Sequence, residues 1–309
     1  MDRFAAGAAR DGAALVAFPE YATYEKKKMD ATFPAVAEPL DGPVCRELAE
    51  IARRHRIALV AGVVETSDDP GRAYNTLVAF GPDVGRLAFY RKIHLFDAQG
   101  FGESEFIKPG ESLEPVVFEY GGVRFGLMTC YDLRFPELAR SLADAGAQVL
   151  LVCSSWVPGE HKTEQWLALN AARAIENSVY VAGVCQAPPV SVGRSVLVDP
   201  MGAAEADLGL SRACVRWRFP WRRWSGCGSR SRCSGNGGCR PAGYGPPASR
   251  SLGITPWQSP FLLVVEDAPA TVHQGMHLVL RYSVGAPVEL SEIRHLSQAL
   301  DLPERTCHA

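Results

Sequence analysis

Three apolar runs in this 309-residue chain each end in a side chain able to do chemistry. The stretch "GLMTCYDLRFPEL" runs apolar up to Cys130 and turns at once into Tyr131-Asp132-Leu133-Arg134. The stretch "LVAFPE" ends in Glu20 behind a proline, and "LAFYRK" ends in Lys92 just before "IHLF". A thiol attacks a carbonyl carbon as the thiolate, so it needs a base. The oxyanion that then forms needs a cation or N–H donors. A carboxylate, an ammonium and a sulfur at one rim of a sheet would supply all of this. Taken singly, each reads as a solvated end residue, and a lone cysteine as a small buried hydrophobe. Their coincidence at three strand ends, where α/β proteins place their chemistry, points to nucleophilic catalysis.

The elements that must position these residues are readable to about residue 212. "ALVAFPEY" predicts a buried strand ending at Pro19-Glu20. "GPVCRELAEIARRHR" has apolar positions 44, 48, 51 and 52, a helical stripe with a basic end. "IALVAGVVET" is a strand apolar on both faces. "AYNTLVAFGPDVGRLAFYRKIHL" reads as a hairpin turning at Gly81-Pro82-Asp83, and "PVVFEYGGVRFGLMTC" as a second turning at Gly121-Gly122. "FPELARSLADAG" is a helix with Leu138, Leu142 and Ala145 on one face and Gly146 as its cap. "AQVLLVCSS" is a buried strand, "TEQWLALNAARAIENS" a helix, "VYVAGVCQ" a strand, and "GRSVLVDPMGAAEADLG" a strand and turn. Strands, hairpins and two helix layers predict an α/β protein with sheets inside and helices outside.

These motifs resemble those of the nitrilase superfamily, the carbon–nitrogen hydrolases. "FPEY" with Glu20, "YRKIHLF" with Lys92 and "CYDLRFPEL" with Cys130 look like its three signature segments, in the same order and spacing. The resemblance covers about residues 11 to 210 and includes "ARAIEN" and "VDPMG". It is closest to the Nit branch, the ω-amidase and deaminated-glutathione amidase group; a nitrilase proper carries Cys-Trp-Glu where this chain has Cys130-Tyr131-Asp132. The resemblance implies an α-β-β-α sandwich and hydrolysis of a small linear carboxamide through a cysteine thioester, with no cofactor and no metal. Glu20 would be the base, Cys130 the nucleophile, and Lys92 with the Tyr131 N–H the oxyanion donors. The family's second glutamate matches Glu103 in "FGESEF", which on sequence alone reads equally as an exposed loop acid.

Substrate contacts fall on Tyr131, Arg134 and Trp156. Arg134 lies at a position that binds the substrate's carboxylate in related enzymes, which suits a bidentate guanidinium. The alternatives are an ion pair of Arg134 with Glu137 or Asp132, and a plain core role for Trp156. A carbamoyl amino acid is the alternative substrate. A Cys–His hydrolase using His94 or His161 is a further possibility, but neither histidine has an evident orienting partner in the sequence.

The match departs from the family at three places. The family begins with a strand before the helix in which this chain starts, so a central strand is expected to be missing and a strand edge exposed. Gln165-Trp166 stands where the family has His-Trp, with His161 nearby. After about Arg212 the family's C-terminal segment, which helps dimers form, is replaced. The expected layout is a hydrolase domain over 1–212, a basic low-complexity segment over 213–251 and an extension over 252–309 holding a strand or two and a helix. The segment 213–251 is crowded with Arg, Gly, Ser, Cys, Trp and Pro and is expected to form no packed element; a shifted reading frame in a GC-rich gene would produce such text. A basic nucleic-acid arm and a zinc knuckle from Cys227, Cys233 and Cys239 are weaker readings, since no compact tetrad with His is present. These departures leave a catalytically impaired relic, kept for binding or oligomer contacts, as the competing function.

The totals set the remaining bounds. The chain is 47% hydrophobic and 21% charged with a net charge of -2, a globular composition with no overall pull toward nucleic acid or anionic membrane. No apolar run approaches the ~20 residues of a spanning helix. The start has no secretory pattern. The expected partner is a small amide, the expected compartment the cytoplasm, and the expected assembly a family-type homodimer whose C-terminal contacts are altered.

Overall fold

The computed structural model describes residues 1–210, except Lys27 and Val84, together with the backbone of two later strands, Cys214–Arg218 and Pro260–Val264. Two six-stranded sheets form the interior. The first contains β1 (Leu15–Ala17), β2 (Ala58–Thr66), β3 (Ala73–Gly81) and β4 (Gly85–Arg91), followed on the other side of β1 by β12 (Pro260–Val264) and β11 (Cys214–Arg218). The second runs β10 (Ala204–Asp207), β9 (Val196–Val198), β8 (Tyr180–Cys185), β7 (Val149–Ser154), β6 (Val123–Thr129), β5 (Val117–Tyr120). Helices α1 (Asp2–Arg10), α2 (Thr32–Val36) and α3 (Pro43–His55) belong to the first half, and α4 (Pro136–Asp144) and α5 (Lys162–Asn177) to the second.

Residue alternation explains the layering. Successive side chains of a strand point to opposite faces. Leu15, Ala17, Ala58 and Val60 face the second sheet and share a core with Leu127, Leu151 and Val152. Val16, Phe18, Leu59 and Ala61 point the other way and pack with Ala5 and Ala8 of α1 and Leu48 and Ile51 of α3. Both faces of β1 and β2 are therefore buried, which is why their sequences are apolar throughout. Helix α3 buries Cys45, Leu48, Ile51 and Ala52, and its last turn carries Arg53, Arg54 and His55, which suit the negative end of the helix dipole. Arg54 and His55 both reach Asp2 and tie α3 to α1. On the far side Leu138, Ala139 and Leu142 of α4 and Trp166 and Ala174 of α5 cover the second sheet. The result is the α-β-β-α sandwich that the resemblance implies. Both hairpins turn where the sequence places them, and Gly146, at φ +91°, follows the end of α4 as expected.

The edge of β1 departs from expectation. It is not open. Residues Val16 and Ala17 pair in parallel with Leu262 and Leu263 of β12, and β12 pairs antiparallel with β11 from Cys214↔Val264 to Arg218↔Pro260. So the segment after residue 213, expected to form no packed element, contributes a strand, and the extension contributes the neighbour of β1. The physical reason lies in the backbone: buried N–H and C=O groups along β1 need partners, and an extended apolar segment such as "PFLLV" can supply them. The readings made on 219–259 and 265–309, among them the basic arm, the zinc knuckle from Cys227, Cys233 and Cys239, and a C-terminal helix, lie outside the described residues. Among the described residues no helix is long and apolar enough to cross a membrane.

Candidate active site

Cys130 follows β6 and opens a 3-10 turn, Cys130–Arg134. Its φ is +48°, a left-handed conformation that a non-glycine residue adopts at a cost of about 1–2 kcal/mol. The turn is held by Asp132, which is fully buried. Asp132 accepts hydrogen bonds from the Thr129 N–H at 2.9 Å and the Tyr90 hydroxyl at 2.7 Å, while its other oxygen meets His94 Nδ1 at 2.7 Å. The bent backbone therefore points the thiol off the strand end, as strained nucleophile turns do.

Glu20 lies just past β1, after Phe18 and Pro19. Its close approach depends on Gly62 of β2: a Cβ there would stand 2.4 Å from the Tyr21 nitrogen and 2.7 Å from Glu20 Cα. Lys92 follows β4. Glu103 sits in a short 3-10 turn, Glu103–Glu105, of the loop after it. The four groups meet. Lys92 Nζ donates to Glu20 Oε1 at 3.1 Å and to Glu103 Oε2 at 2.7 Å. Asn75 Nδ2 donates to both carboxylates, at 2.7 Å to Glu20 and 3.2 Å to Glu103. The Tyr21 hydroxyl and the Phe96 N–H complete Glu103, at 3.0 and 2.7 Å, and the Ser155 N–H completes Glu20 at 2.6 Å. Relative exposures of Glu20 1%, Lys92 2%, Glu103 4% and Cys130 8% rule out the solvated-end readings. Glu103 is no exposed loop acid.

Burial in low dielectric disfavours every charge here, so the neighbours decide protonation. Burial would lower the Lys92 ammonium, but Glu103, then Glu20 and Cys130, outweigh it and hold it well above the usual lysine range. Burial, followed by the Glu20 charge, pushes the Cys130 thiol well up, with Lys92 pulling the other way; Glu20 lies within hydrogen-bonding reach of it. Burial and the Glu20 charge thus favour the thiol form of Cys130 over the thiolate. Cys45, Cys153 and Cys185 are buried free thiols too, raised chiefly by desolvation, to about 11 for Cys45 and about 12 for Cys185.

The three residues expected to touch substrate lie together. Arg134 Cζ lies 5.2 Å from the Trp156 ring centre and 5.6 Å from that of Tyr131. Its Nη2 donates to Gln165 Oε1 at 2.5 Å, and among the described residues it makes no ion pair with Glu137 or Asp132. Trp156 is buried, its indole N–H donates to the Lys162 carbonyl at 2.9 Å, and its ring faces both the Arg134 guanidinium and the Lys162 ammonium. The histidines require a correction. His94 does have an orienting partner, Asp132, and stacks on Phe135 at 3.6 Å, but this engagement serves the turn under Cys130. His161 is an exposed residue paired with Glu160.

Several residues escaped the sequence reading. Asn75 left a signal: an amide inside the apolar strand "AYNTLVAF". Ser155, Tyr21 and Asp132 left none, because their roles depend on partners brought in by the fold. Glu25 is another. Its carboxyl accepts from the Ser155 hydroxyl at 2.6 Å, and burial, assisted by the Glu20 charge, pushes its pKa from the usual 4.5 up to about 8. A carboxyl raised on folding stabilises the fold fully below pH 4.5, and this contribution is lost as pH climbs through about 8. Glu25→Gln is expected to flatten the fall in melting temperature across that window, measured by scanning calorimetry at several pH values.

Among the described residues no group of three His, Cys, Asp or Glu side chains could hold a metal ion. A thiol, a base within reach of it and a buried cation bridging two carboxylates make up the working parts of a cysteine-dependent amide hydrolase. The family model for carbon-nitrogen hydrolases matches residues 1–212, and the chain belongs to that family. A hydrolase of Mycobacterium tuberculosis is 41% identical over 225 residues, covering 68% of this chain and 78% of the relative. The omega-amidase of Homo sapiens is 36% identical over 222 residues, covering 67% and 77%, and the deaminated glutathione amidase of Escherichia coli O157:H7 is 36% identical over 171 residues, covering 55% and 64%. These likenesses put the chain in the Nit branch of the nitrilase superfamily. Among solved structures the amidase from Nesterenkonia sp. AN1 superimposes with a TM-score of 0.61 at 30% identity, over 68% of this chain and 81% of that one; in one form acrylamide has added to its active site cysteine.

Proposed function

We propose that the protein hydrolyses the terminal carboxamide of a short linear acid to carboxylate and ammonia through a thioester on Cys130. The observation that carries this is the buried Lys92 ammonium, shared between Glu20 and Glu103 beside the thiol. Glu20 takes the thiol proton as Sγ attacks the amide carbon. Lys92 and the Tyr131 N–H, in the first turn after the strand where amide groups lack partners, receive the oxyanion. Glu20 returns the proton to the amine as the C–N bond breaks, and ammonia leaves. Water then yields a proton to Glu20 and attacks the thioester; the C–S bond breaks and the proton returns to sulfur. The sum is amide plus water giving carboxylate plus ammonium. Glu103, with both oxygens engaged, fixes Lys92 and the loop through the Phe96 N–H. Arg134 is assigned to the substrate's far carboxylate. The cytoplasm is the proposed compartment, where thiols such as the four described cysteines stay reduced.

The test is to mix enzyme and succinic acid monoamide, quench with acid within a turnover, and weigh the Cys130 peptide. An acyl adduct at Cys130, with one ammonia released per carboxylate formed, is expected. Ammonia release with no adduct at any quench time, and no adduct trapped by hydroxylamine, would overturn the thioester route.

A further inference from the structure

Glu25 precedes a run of lysines in the sequence, yet it is partly buried and faces the ends of β7 and β8. Its Oε1 accepts from the Ser155 hydroxyl at 2.6 Å, and its Oε2 lies 3.5 Å from Gln186 Nε2. Ser155 follows β7 and Gln186 follows β8. The Ser155 hydroxyl also meets the Ser191 hydroxyl at 3.0 Å, and Gln186 Nε2 stands 3.5 Å from the Glu20 carbonyl. Ser155 thus touches two acids. Its N–H donates to Glu20 Oε2 at 2.6 Å while its O–H donates to Glu25. Glu20 Oε1 is held from elsewhere, by Asn75 at 2.7 Å and Lys92 at 3.1 Å. Glu20 and Glu103 share the Lys92 ammonium, whereas the charge that acts on Glu25 is the Glu20 carboxylate. The other titratable groups that sense Glu25, Tyr21 and Cys185, are held protonated chiefly by burial. A carboxyl withdrawn from water, with a second carboxylate beside it, is costly to ionise, so Glu25 keeps its proton up to about pH 8.

We propose that Glu25 is a positioning residue for the base: acting through Ser155, it holds the Ser155 N–H on Glu20 Oε2 and so fixes the carboxylate that takes the thiol proton and returns it to the amine. This rests on the amidase reading above. A peptide N–H just past a strand end takes its direction from the loop that follows. The Ser155 side chain removes that freedom, anchored to Glu25 on one side and Ser191 on the other. The orientation matters twice, because one carboxylate serves both proton transfers, and a base displaced by about 1 Å loses much of its effect. An acid here also does what an amide cannot. Neutral, it accepts the Ser155 hydroxyl and adds no charge beside Glu20. Ionised, it sets a second negative charge across Ser155 and opposes the return of Glu20 to its charged form as the proton passes to the amine. The protonated form is therefore the working one, present below about pH 8 and lost above it.

The test uses succinic acid monoamide for the whole reaction and p-nitrophenyl acetate, whose leaving group departs unprotonated, for acylation alone. Ser155→Ala keeps the backbone N–H but frees it from its anchor. This variant and Glu25→Leu are each expected to lower kcat for the amide about tenfold near neutral pH with little change in KM, and to slow the ester's acylation burst by a similar factor. The double variant is expected to lose no more than either single one, because both cut the same link. Glu25→Gln keeps an acceptor for the hydroxyl and should restore most of kcat near neutral pH. Wild-type kcat for the amide should fall through about pH 8, and that of Glu25→Gln should stay level across the same window. Losses that multiply in the double variant, or a wild-type pH profile that Glu25→Gln reproduces unchanged, would make the two residues structural and overturn the proposal while leaving the amidase reading in place. Turnover of the ester but not of the amide would sink the amidase reading instead, and the burst rates of the single and double variants would then decide the positioning role. Turnover of neither compound would overturn both.

Discussion

Replacing Cys130 by alanine is expected to lower kcat for amide hydrolysis on the order of 10⁵-fold while leaving the fold intact. The loss is that large because the thiol forms the intermediate, and no second nucleophile stands in its place. The remaining machinery, Lys92 and the base, can still polarise an amide, so a trace above the uncatalysed rate will persist. Alanine keeps the backbone hydrogen bonds of the turn, and the Asp132 contacts to Thr129 and Tyr90 do not involve the thiol. Melting temperature should therefore move little. The contrast with Cys45, Cys153 and Cys185 sharpens the result. All are buried, and desolvation holds each of them protonated. Among the four described cysteines only Cys130 has the Glu20 carboxylate placed to remove its proton during attack and the Lys92 ammonium placed to receive charge. Among the four described cysteines, an amide-bearing electrophile such as acrylamide should label Cys130 alone in wild type and none of the other three in Cys130→Ala. Equal alkylation of the four described thiols, or more than about one hundredth of wild-type activity in Cys130→Ala, would refute the assignment.

Glu20, Lys92 and Cys130 were legible because each interrupts an apolar run at its end, where side-chain type and strand boundary carry the same message. Arg134 was singled out only by resemblance; that its guanidinium meets Gln165 rather than Glu137 or Asp132 shows only in the fold. Lys162 reads as an ordinary helix-start lysine until the fold seals it against Trp156 and Phe96. Partners such as Asn75 and Ser155 lie 55 and 135 residues from Glu20, beyond the reach of any local pattern. The sheet edge was misjudged for a related reason. Strand periodicity predicts β1, but which strand will hydrogen-bond to it depends on chain far away, and β12 pairs there although it lies far beyond the segment that matches the family. Local chemistry thus singled out the residues that the fold brings together, and long-range pairing decided what supports them.

The cation at the centre gives the second large effect. Lys92→Met is expected to reduce kcat about 10³-fold and to destabilise the protein by roughly 3–5 kcal/mol. Both follow from one contact set. Lys92 bridges Glu20 and Glu103 at 3.1 and 2.7 Å, and all three are almost fully buried. Methionine fills the same volume but leaves two carboxylates joined through Asn75 with no positive charge between them. Removing one partner of a buried pair exposes the full desolvation cost of the other, and here two acids are stranded. A second change separates this electrostatic account from simple loss of packing. Glu103→Gln on the Lys92→Met background removes one of the stranded charges and should recover about 1–3 kcal/mol relative to additivity, measured by urea denaturation. Activity should not recover, since the oxyanion has lost its cation. If the double variant is instead less stable than Lys92→Met alone, the two carboxylates are not in conflict and Lys92 serves the site mainly by filling space. The cation is then not what makes a buried pair of acids tolerable at the end of three strands.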